Sequence, residues 1–292
     1  NRVIILDCEY SCVSIFLIIL KTLGWRGKIT IQVNAPNFVN SFSIKRFNVF
    51  KILKLIQTFI FKSSLKLFDI KISCLGLWHK NLLSKQLSFN KKNILIIEDG
   101  GGGIVKKIPE KKLIYSLNKE SINFPKNNKK IFLLFGNIRK DKGHLFLTSI
   151  WNRFFNSSND PYLWIVGHDE ENLSKKILED SSNNIVLHNS YVPIDLIKNV
   201  YQKADFAILP YLSLYSGGSG PLMKGAFTHS KLAIVSNVSE MGRLAKEEKL
   251  AEYFISEDSQ SLVSCIRKVL GKKDGYYADK IDRALRYANE RD

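Results

Sequence analysis

Methionine and cysteine are scarce in this chain of 292 residues, with 2 and 4 copies. Cys8, Cys12, Cys74 and Cys265 form no CxxC pair and no ligand spacing, which argues against a disulfide framework or a structural zinc site and favours a reducing compartment. His79, His144, His168, His188 and His229 are isolated, with no HExxH, so no metal is expected. Long apolar runs are missing as well. The longest, about ten residues around Val13–Leu20, is too short to span a bilayer. No secretory signal, internal repeat or low-complexity tract is recognisable. Acid is also short: 27 Asp+Glu face 44 Lys+Arg, a formal net charge of +17. The excess is uneven, with 21 basic against 7 acidic residues over 1–128 and 23 against 20 over 129–292. An anionic partner or surface is expected, met by the N-terminal half.

What is present is a folded chain, 45% hydrophobic and long enough for about two domains. Short apolar, β-branched runs alternate with helical stretches. The strands are expected at 3–6, 28–33, 93–97, 131–135, 162–166, 184–187, 206–209, 233–236 and 253–255. Residues 104–128, with Pro109 and Pro125, read as a linker. This alternation predicts an α/β architecture of parallel sheets with helices on both faces, and ligand at the carboxyl ends of the strands.

Two strand-ending loops carry chemistry. Gly136-Asn-Ile-Arg139-Lys140-Asp-Lys142-Gly143 joins a glycine, two cations and a helix start, which suits a pyrophosphate. Tyr215-Ser-Gly-Gly218-Ser219-Gly220-Pro221 leaves amides uncovered and suits phosphate oxygens. Each is weak alone, since a basic or Gly-rich loop is commonly only solvated. Two of them at the carboxyl ends of one sheet are stronger.

Residues 129–270 resemble the donor-binding domain of family 4-type glycosyltransferases of GT-B fold. The match runs through Leu134…Arg139…Lys142-Gly143, Leu163…Gly167, Ser190-Tyr191-Val192-Pro193, Ala204-Asp205…Pro210 and Gly217…Gly220. The resemblance implies two Rossmann-like domains. These are an N-terminal acceptor-binding domain over 1–122, a nucleotide-sugar-binding domain over 123–275, and a C-terminal helix over 276–292 able to pack back on the N-terminal domain. It implies that Arg139 and Lys142, with Gly136 and the amides of Gly218, Ser219 and Gly220, neutralise the donor diphosphate as it leaves. Gly167, His188, Tyr191 and Val192 are then expected near the nucleotide. The sequence departs from the family in one place: where members carry Glu-x7-Glu, it has Gly217 and Gly225. That leaves open a retaining or inverting hexosyltransferase, or a catalytically inactive partner subunit. An inverting enzyme needs a general base, for which Asp99 is the first candidate and Glu98 the second.

Residues 44–92 hold 11 Lys/Arg and one acid, Asp69. On a helical projection Lys51, Lys54, Lys62 and Lys66 share an arc with Leu55, Phe61 and Leu65, while Val49, Ile52, Leu53, Ile56 and Ile60 form the side expected to pack on the sheet. The mixed arc suits an anionic membrane surface. Solvated lysines are the alternative reading. Nucleic acid is disfavoured because no binding fingerprint is present.

The expectation is a glycosyltransferase using a nucleotide-sugar donor, without cofactor or metal. Its acceptor is a glycan or lipid-linked sugar at the cytoplasmic face of the membrane, in surface polysaccharide biosynthesis.

Overall fold

The computed structural model describes residues 2–6, 10–33, 49–97, 100–103, 105–126, 128–179 and 183–291, with backbone only at 2, 6, 10–11 and 49–55. The chain divides into two compact units. One comprises Asn1–Glu98 with Ser216–Gly218, the other Asp99–Tyr215 with Ser219–Asp292.

The N-terminal unit winds in one direction. Strands β1 (Arg2–Leu6), β2 (Lys28–Val33), β3 (Ile70–Cys74) and β4 (Ile94–Ile96) lie side by side in chain order, all parallel. Helices α1 (Tyr10–Thr22), α2 (Val49–Ser64) and α3 (Leu77–Leu87) connect them. With right-handed crossovers, a sheet that grows steadily one way carries its helices on one face. The burial pattern agrees: Ile29, Ile31, Ile70, Ile72 and Ile94 form one cluster with Leu17, Phe61 and Leu83 from the three helices. Among the described residues these three connecting helices therefore share one face of the sheet. Strand β3 and helix α3 lie inside the basic stretch and were not anticipated as elements.

The orientation of α2 corrects the helical projection. Phe61 is fully buried and Leu65, just past the helix, is 3% exposed, whereas Ile56 and Ile60 are about half exposed and Phe59 is 71% exposed. The helix has apolar residues nearly all round, so periodicity alone does not choose the stripe that packs. Phe61 and Leu65, four residues apart, take the core position.

The C-terminal unit is doubly wound. Its sheet has the order β10-β9-β8-β5-β6-β7. The strands are β5 (Ile131–Phe135), β6 (Tyr162–Val166), β7 (Ile185–His188), β8 (Phe206–Leu209), β9 (Leu232–Ser236) and β10 (Glu252–Phe254), and among the helices between and after them are α5 (His144–Phe154), α6 (Ser174–Glu179), α7 (Ile194–Lys203), α8 (Ser239–Lys246) and α9 (Ser259–Leu270). Alternate residues feed two cores: Ile131, Leu133, Trp164, Ala207 and Val235 pack on one face. Phe132, Leu134, Leu163, Ile208 and Ile234 pack on the other. Strands buried on both faces read as continuous apolar runs, which is why these were legible.

The boundary between units falls at Glu98/Asp99, earlier than the expected 122/123. The segment taken as a linker contains helix α4 (Glu110–Lys119), whose Leu113 and Leu117 are buried in the C-terminal core beside Ile122 and Phe124. The last helix, α10 (Ala278–Asn289), is part of the same unit: Ala284 and Ala288 are buried there, and the Gly101 amide donates to the Ala288 carbonyl at 3.1 Å. Among the described residues no helix is long and apolar enough to cross a membrane.

Candidate functional site

In the C-terminal sheet the chain first builds β5, β6 and β7 outward, then returns to place β8 on the other side of β5. The reversal lies between β5 and β8, whose Phe132 pairs with Phe206. Loops leaving the carboxyl ends of two strands at such a reversal diverge and leave a crevice. Here the diverging loops are Gly136–Gly143, after β5, and Pro210–Gly220, after β8.

The two loops are tied together. The Leu212 amide donates to the Asp141 carbonyl at 2.9 Å. Gly143 has φ 74°, and a Cβ there would lie 2.0 Å from the Pro210 carbonyl oxygen. Gly136 opens the first loop; a Cβ on it would stand 3.3 Å from Lys142 Nζ and 3.3 Å from Pro221 Cγ. Lys142 therefore lies between the first loop and the end of the second. Its ammonium makes no hydrogen bond or ion pair among the described residues. Burial, and then the neighbouring Arg139 charge, lower its pKa. Asp141 and Glu170 act on it only from beyond ion-pair contact, so a half-buried ammonium is left able to take an anion as its direct partner.

Arg139 sits differently from expectation. Its guanidinium is engaged twice by Asp141, with Nε donating to Oδ1 at 3.0 Å, and Glu170 stands 4.0 Å away. The hydrogen bond it donates to Asp141 is the main cause of its raised pKa. Its charge is thus largely compensated, a pairing present in the sequence as Arg-x-Asp and not anticipated.

Helix α5 (His144–Phe154) starts immediately after Gly143 and has no side-chain cap, so its first amides remain available beside Lys142. His144 fixes this corner. Its Nδ1 lies 3.1 Å from the Arg139 carbonyl, which can only accept, so Nδ1 carries the proton and Nε2 is buried without a partner among the described residues. Burial lowers its pKa from 6.5 to about 4. Between these values the unfolded chain binds the extra proton and the fold does not, so stability falls as pH drops from 6.5 to 4. The loss from this group is about 3 kcal/mol. Denaturant midpoints at pH 7 and pH 4.5 check this: His144→Gln should flatten the slope, and an unchanged slope would assign the acid loss to other groups.

The second loop ends in a π-helix over Pro221–Phe227, marked by the Thr228 amide donating to the Met223 carbonyl five residues back. Ser219 is buried, and its hydroxyl accepts from the Leu222 amide at 3.3 Å, so it holds the turn. Nothing lies within 4 Å of a Cβ position on Gly220, which faces open space. Gly218 groups with the N-terminal unit. At Gly225 a side chain is excluded: a Cβ would fall 2.0 Å from Tyr201 Oη, which itself donates to the Pro221 carbonyl at 3.1 Å.

On the β6–β7 side, the Gly167 amide donates to the His188 carbonyl at 3.0 Å. His188 Nδ1 accepts from the Asn123 amide at 3.3 Å, and burial lowers its pKa. Tyr191 is exposed and stacks on His168 with ring centroids 4.5 Å apart, while Val192 packs against the core. Glu98 and Asp99 lie outside the described residues. In the basic stretch, the Lys51 and Lys54 side chains are also outside them, Lys62 donates to Ser88 Oγ at 2.8 Å, and Lys66 is exposed.

Residues 129–272 match the family described as glycosyl transferases group 1. This stretch is a group 1 glycosyltransferase domain. No curated protein matches the sequence. Solved structures share the fold of the whole chain, which is GT-B. A glycosyltransferase from Rickettsia africae matches at 17% identity, over 97% of this chain and 76% of that one, with TM-score 0.62. Anabaena Alr3699/HepE, solved in complex with UDP, matches at 11% identity over 99% and 74%, with TM-score 0.75. WaaG, a glycosyltransferase involved in lipopolysaccharide biosynthesis, matches at 14% identity over 94% and 76%, with TM-score 0.68. In the glycosyltransferase domain, the crevice between β5 and β8 is the place where loop, helix start and unpaired lysine converge.

Proposed function

We propose that this chain transfers a sugar from a nucleoside-diphosphate sugar to a hydroxyl of a glycan or lipid-linked acceptor at an anionic membrane surface, in surface-polysaccharide assembly. The observation that carries the donor half is Lys142, an unpaired ammonium held between the Gly136 loop and Pro221 at the head of α5. When the bond between the anomeric carbon and the donor phosphate breaks, negative charge grows on the leaving diphosphate. A cation and helix amides already in place stabilise that charge without reorganising. The acceptor oxygen forms the new bond, and its proton passes to a base, for which Asp99 and Glu98 remain the sequence candidates. Gly225 supports a donor site without the family's second glutamate, because Tyr201 occupies the space a side chain needs there.

The test is a thermal-shift panel of UDP, GDP, ADP, CMP and their sugars, with UDP first because the Anabaena protein of this fold was solved with it. A true donor at 100 times its Kd stabilises by about 2.7 kcal/mol. No stabilisation by any nucleotide would overturn the reading. Binding without transfer to any acceptor would favour an inactive partner subunit instead.

The membrane half is supported by α1 and α2, which pack together and expose Ile15, Ile19 and Leu23 on the first and Ile56, Phe59 and Ile60 on the second. Lys21, at the end of α1, and Lys66, just past α2, are exposed, and Lys21 donates to the Leu67 carbonyl at 3.2 Å. Exposed apolar side chains together with lysine suit the headgroup boundary of anionic lipid. Ile19→Asp with Phe59→Asp is expected to weaken co-sedimentation with phosphatidylglycerol vesicles by roughly tenfold or more. Equal binding by the variant, or equal binding to pure phosphatidylcholine, would remove this half of the proposal.

A further inference from the structure

At the amino ends of the same strands, the opposite end of the C-terminal sheet from the crevice, lies a cavity of about 870 Å³. That volume falls in the range of small-molecule sites. One wall is the segment Val105–Glu110 leading into α4. The facing wall is the turn Thr228–Lys231 that enters β9, with Gln202 and Lys203 from the end of α7 (Ile194–Lys203) between them.

The cavity is pre-formed. Gln202 clasps the first wall from both sides, accepting from the Ile108 amide at 3.1 Å and donating to the Lys106 carbonyl at 3.2 Å. The Gly102 amide, upstream of this segment, donates to Thr228 Oγ1 at 3.0 Å and so also holds the turn. Lys231 Nζ donates to the carbonyls of Ala204 at 2.7 Å and Gln202 at 3.4 Å. An ammonium has three protons, so one is left over.

Its lining is cationic. Lys107, Lys203 and Lys231 face the cavity with one carboxylate, Glu110, which Lys203 approaches at 3.7 Å. Lys107 is exposed and makes no ion pair or hydrogen bond among the described residues. Burial above all lowers the Lys231 pKa, Asp205 opposes that shift, and the Lys107 charge adds to it. His229 also lines the cavity, with its Nδ1 buried and unpartnered. Two ammonium groups on one cavity, the Ser230 hydroxyl, and apolar patches from Val105, Ile108 and Leu113 describe a ligand with an anionic head and a small, partly apolar body.

We infer that this cavity is a second binding site, for a small phosphate monoester whose dianion lies between Lys107 and Lys231. An occupant bridges the Val105–Glu110 segment to the Thr228–Lys231 turn, and so stiffens the stretch of chain that enters the C-terminal unit.

The experiment is an amide NMR titration of the isotope-labelled full chain with glycerol 3-phosphate, inorganic phosphate, citrate and glycerol. The expected result is a saturable shift of the Lys106–Glu110 and His229–Lys231 amides with both phosphates and none with glycerol. The shifts should persist in Lys142→Met, which alters the other end of the sheet, and weaken at least tenfold in Lys107→Glu. Because Lys107 is exposed and unpaired, that variant keeps the fold, which the unshifted amides of β5 and β8 verify. Citrate shifting the same amides as strongly would overturn the phosphate assignment. Shifts confined to Gly136–Gly143, or an unchanged Kd in Lys107→Glu, would overturn the site.

Discussion

Lys142→Met is expected to lower sugar transfer by roughly 100- to 1,000-fold, the usual consequence of deleting one preorganised group that meets developing charge. Methionine keeps the length and apolar contacts of the stem, so the loss reads the ammonium and not the packing. Where no acceptor is in hand, the same substitution should weaken nucleoside-diphosphate binding. The pH dependence has a definite sign. Lys142 binds the diphosphate only when protonated, and its pKa is depressed by burial and by Arg139. Affinity is therefore held at lower pH and lost as pH rises through that lowered value, earlier than for an ordinary lysine. The alkaline loss should be absent in Lys142→Met. Arg139→Gln is expected to do less harm, since Asp141 already compensates the guanidinium. An Arg139 effect larger than the Lys142 effect would show that the ion pair opens on binding and that the ammonium is not the principal contact.

Gly143→Ala should strongly destabilise the C-terminal unit, costing about 2–6 kcal/mol. Two penalties add. The residue is left-handed, with φ 74° and ψ 23°, which costs a side-chain-bearing residue about 1–3 kcal/mol. The new methyl would also lie 2.0 Å from the Pro210 carbonyl oxygen, a backbone atom at the end of a buried strand that cannot swing away. Forced overpacking of this kind costs about 1–3 kcal/mol. Gly275→Ala separates the two, because Gly275 has φ 86° but nothing within 4 Å of its Cβ position. It should cost only about 1 kcal/mol. Urea midpoints of the two variants check the difference, and equal losses would mean that the β5 and β8 loops are not locked together as described.

How far the sequence spoke depended on what each segment does. Strands β5, β6 and β8 are buried on both faces, so composition alone marked them, and the loops that follow inherit their position from the strands. The cations of the first loop were visible for the same reason. Asp141 was also in view, two residues from Arg139, but whether such neighbours pair is decided by side-chain geometry that spacing does not encode. Strand β3 was hidden because the lysines around it drew the reading toward charge, although Ile70 and Ile72 alternate with polar residues as a half-buried strand should. Helix α4 was hidden by Pro109, which stands at its N-terminus and starts it, where it was taken to mark a linker. On α2 the choice between two apolar stripes is made by the neighbouring strands and by α1, and no single-helix pattern contains that information.

The winding of the two sheets sets different demands on folding kinetics. In the N-terminal unit each new strand docks beside the one just made, as Val3 with Ile29, Ile29 with Ile70 and Ile72 with Ile94, so assembly can follow synthesis step by step. In the C-terminal unit β5 must wait for β8, and Phe132 meets Phe206 only after two intervening strands and their helices have been made. Closing that longer loop before any contact rewards it makes the central pairing the slow event. Until then one edge of β5 stays open, and a nascent chain at this stage is the form most exposed to mispairing.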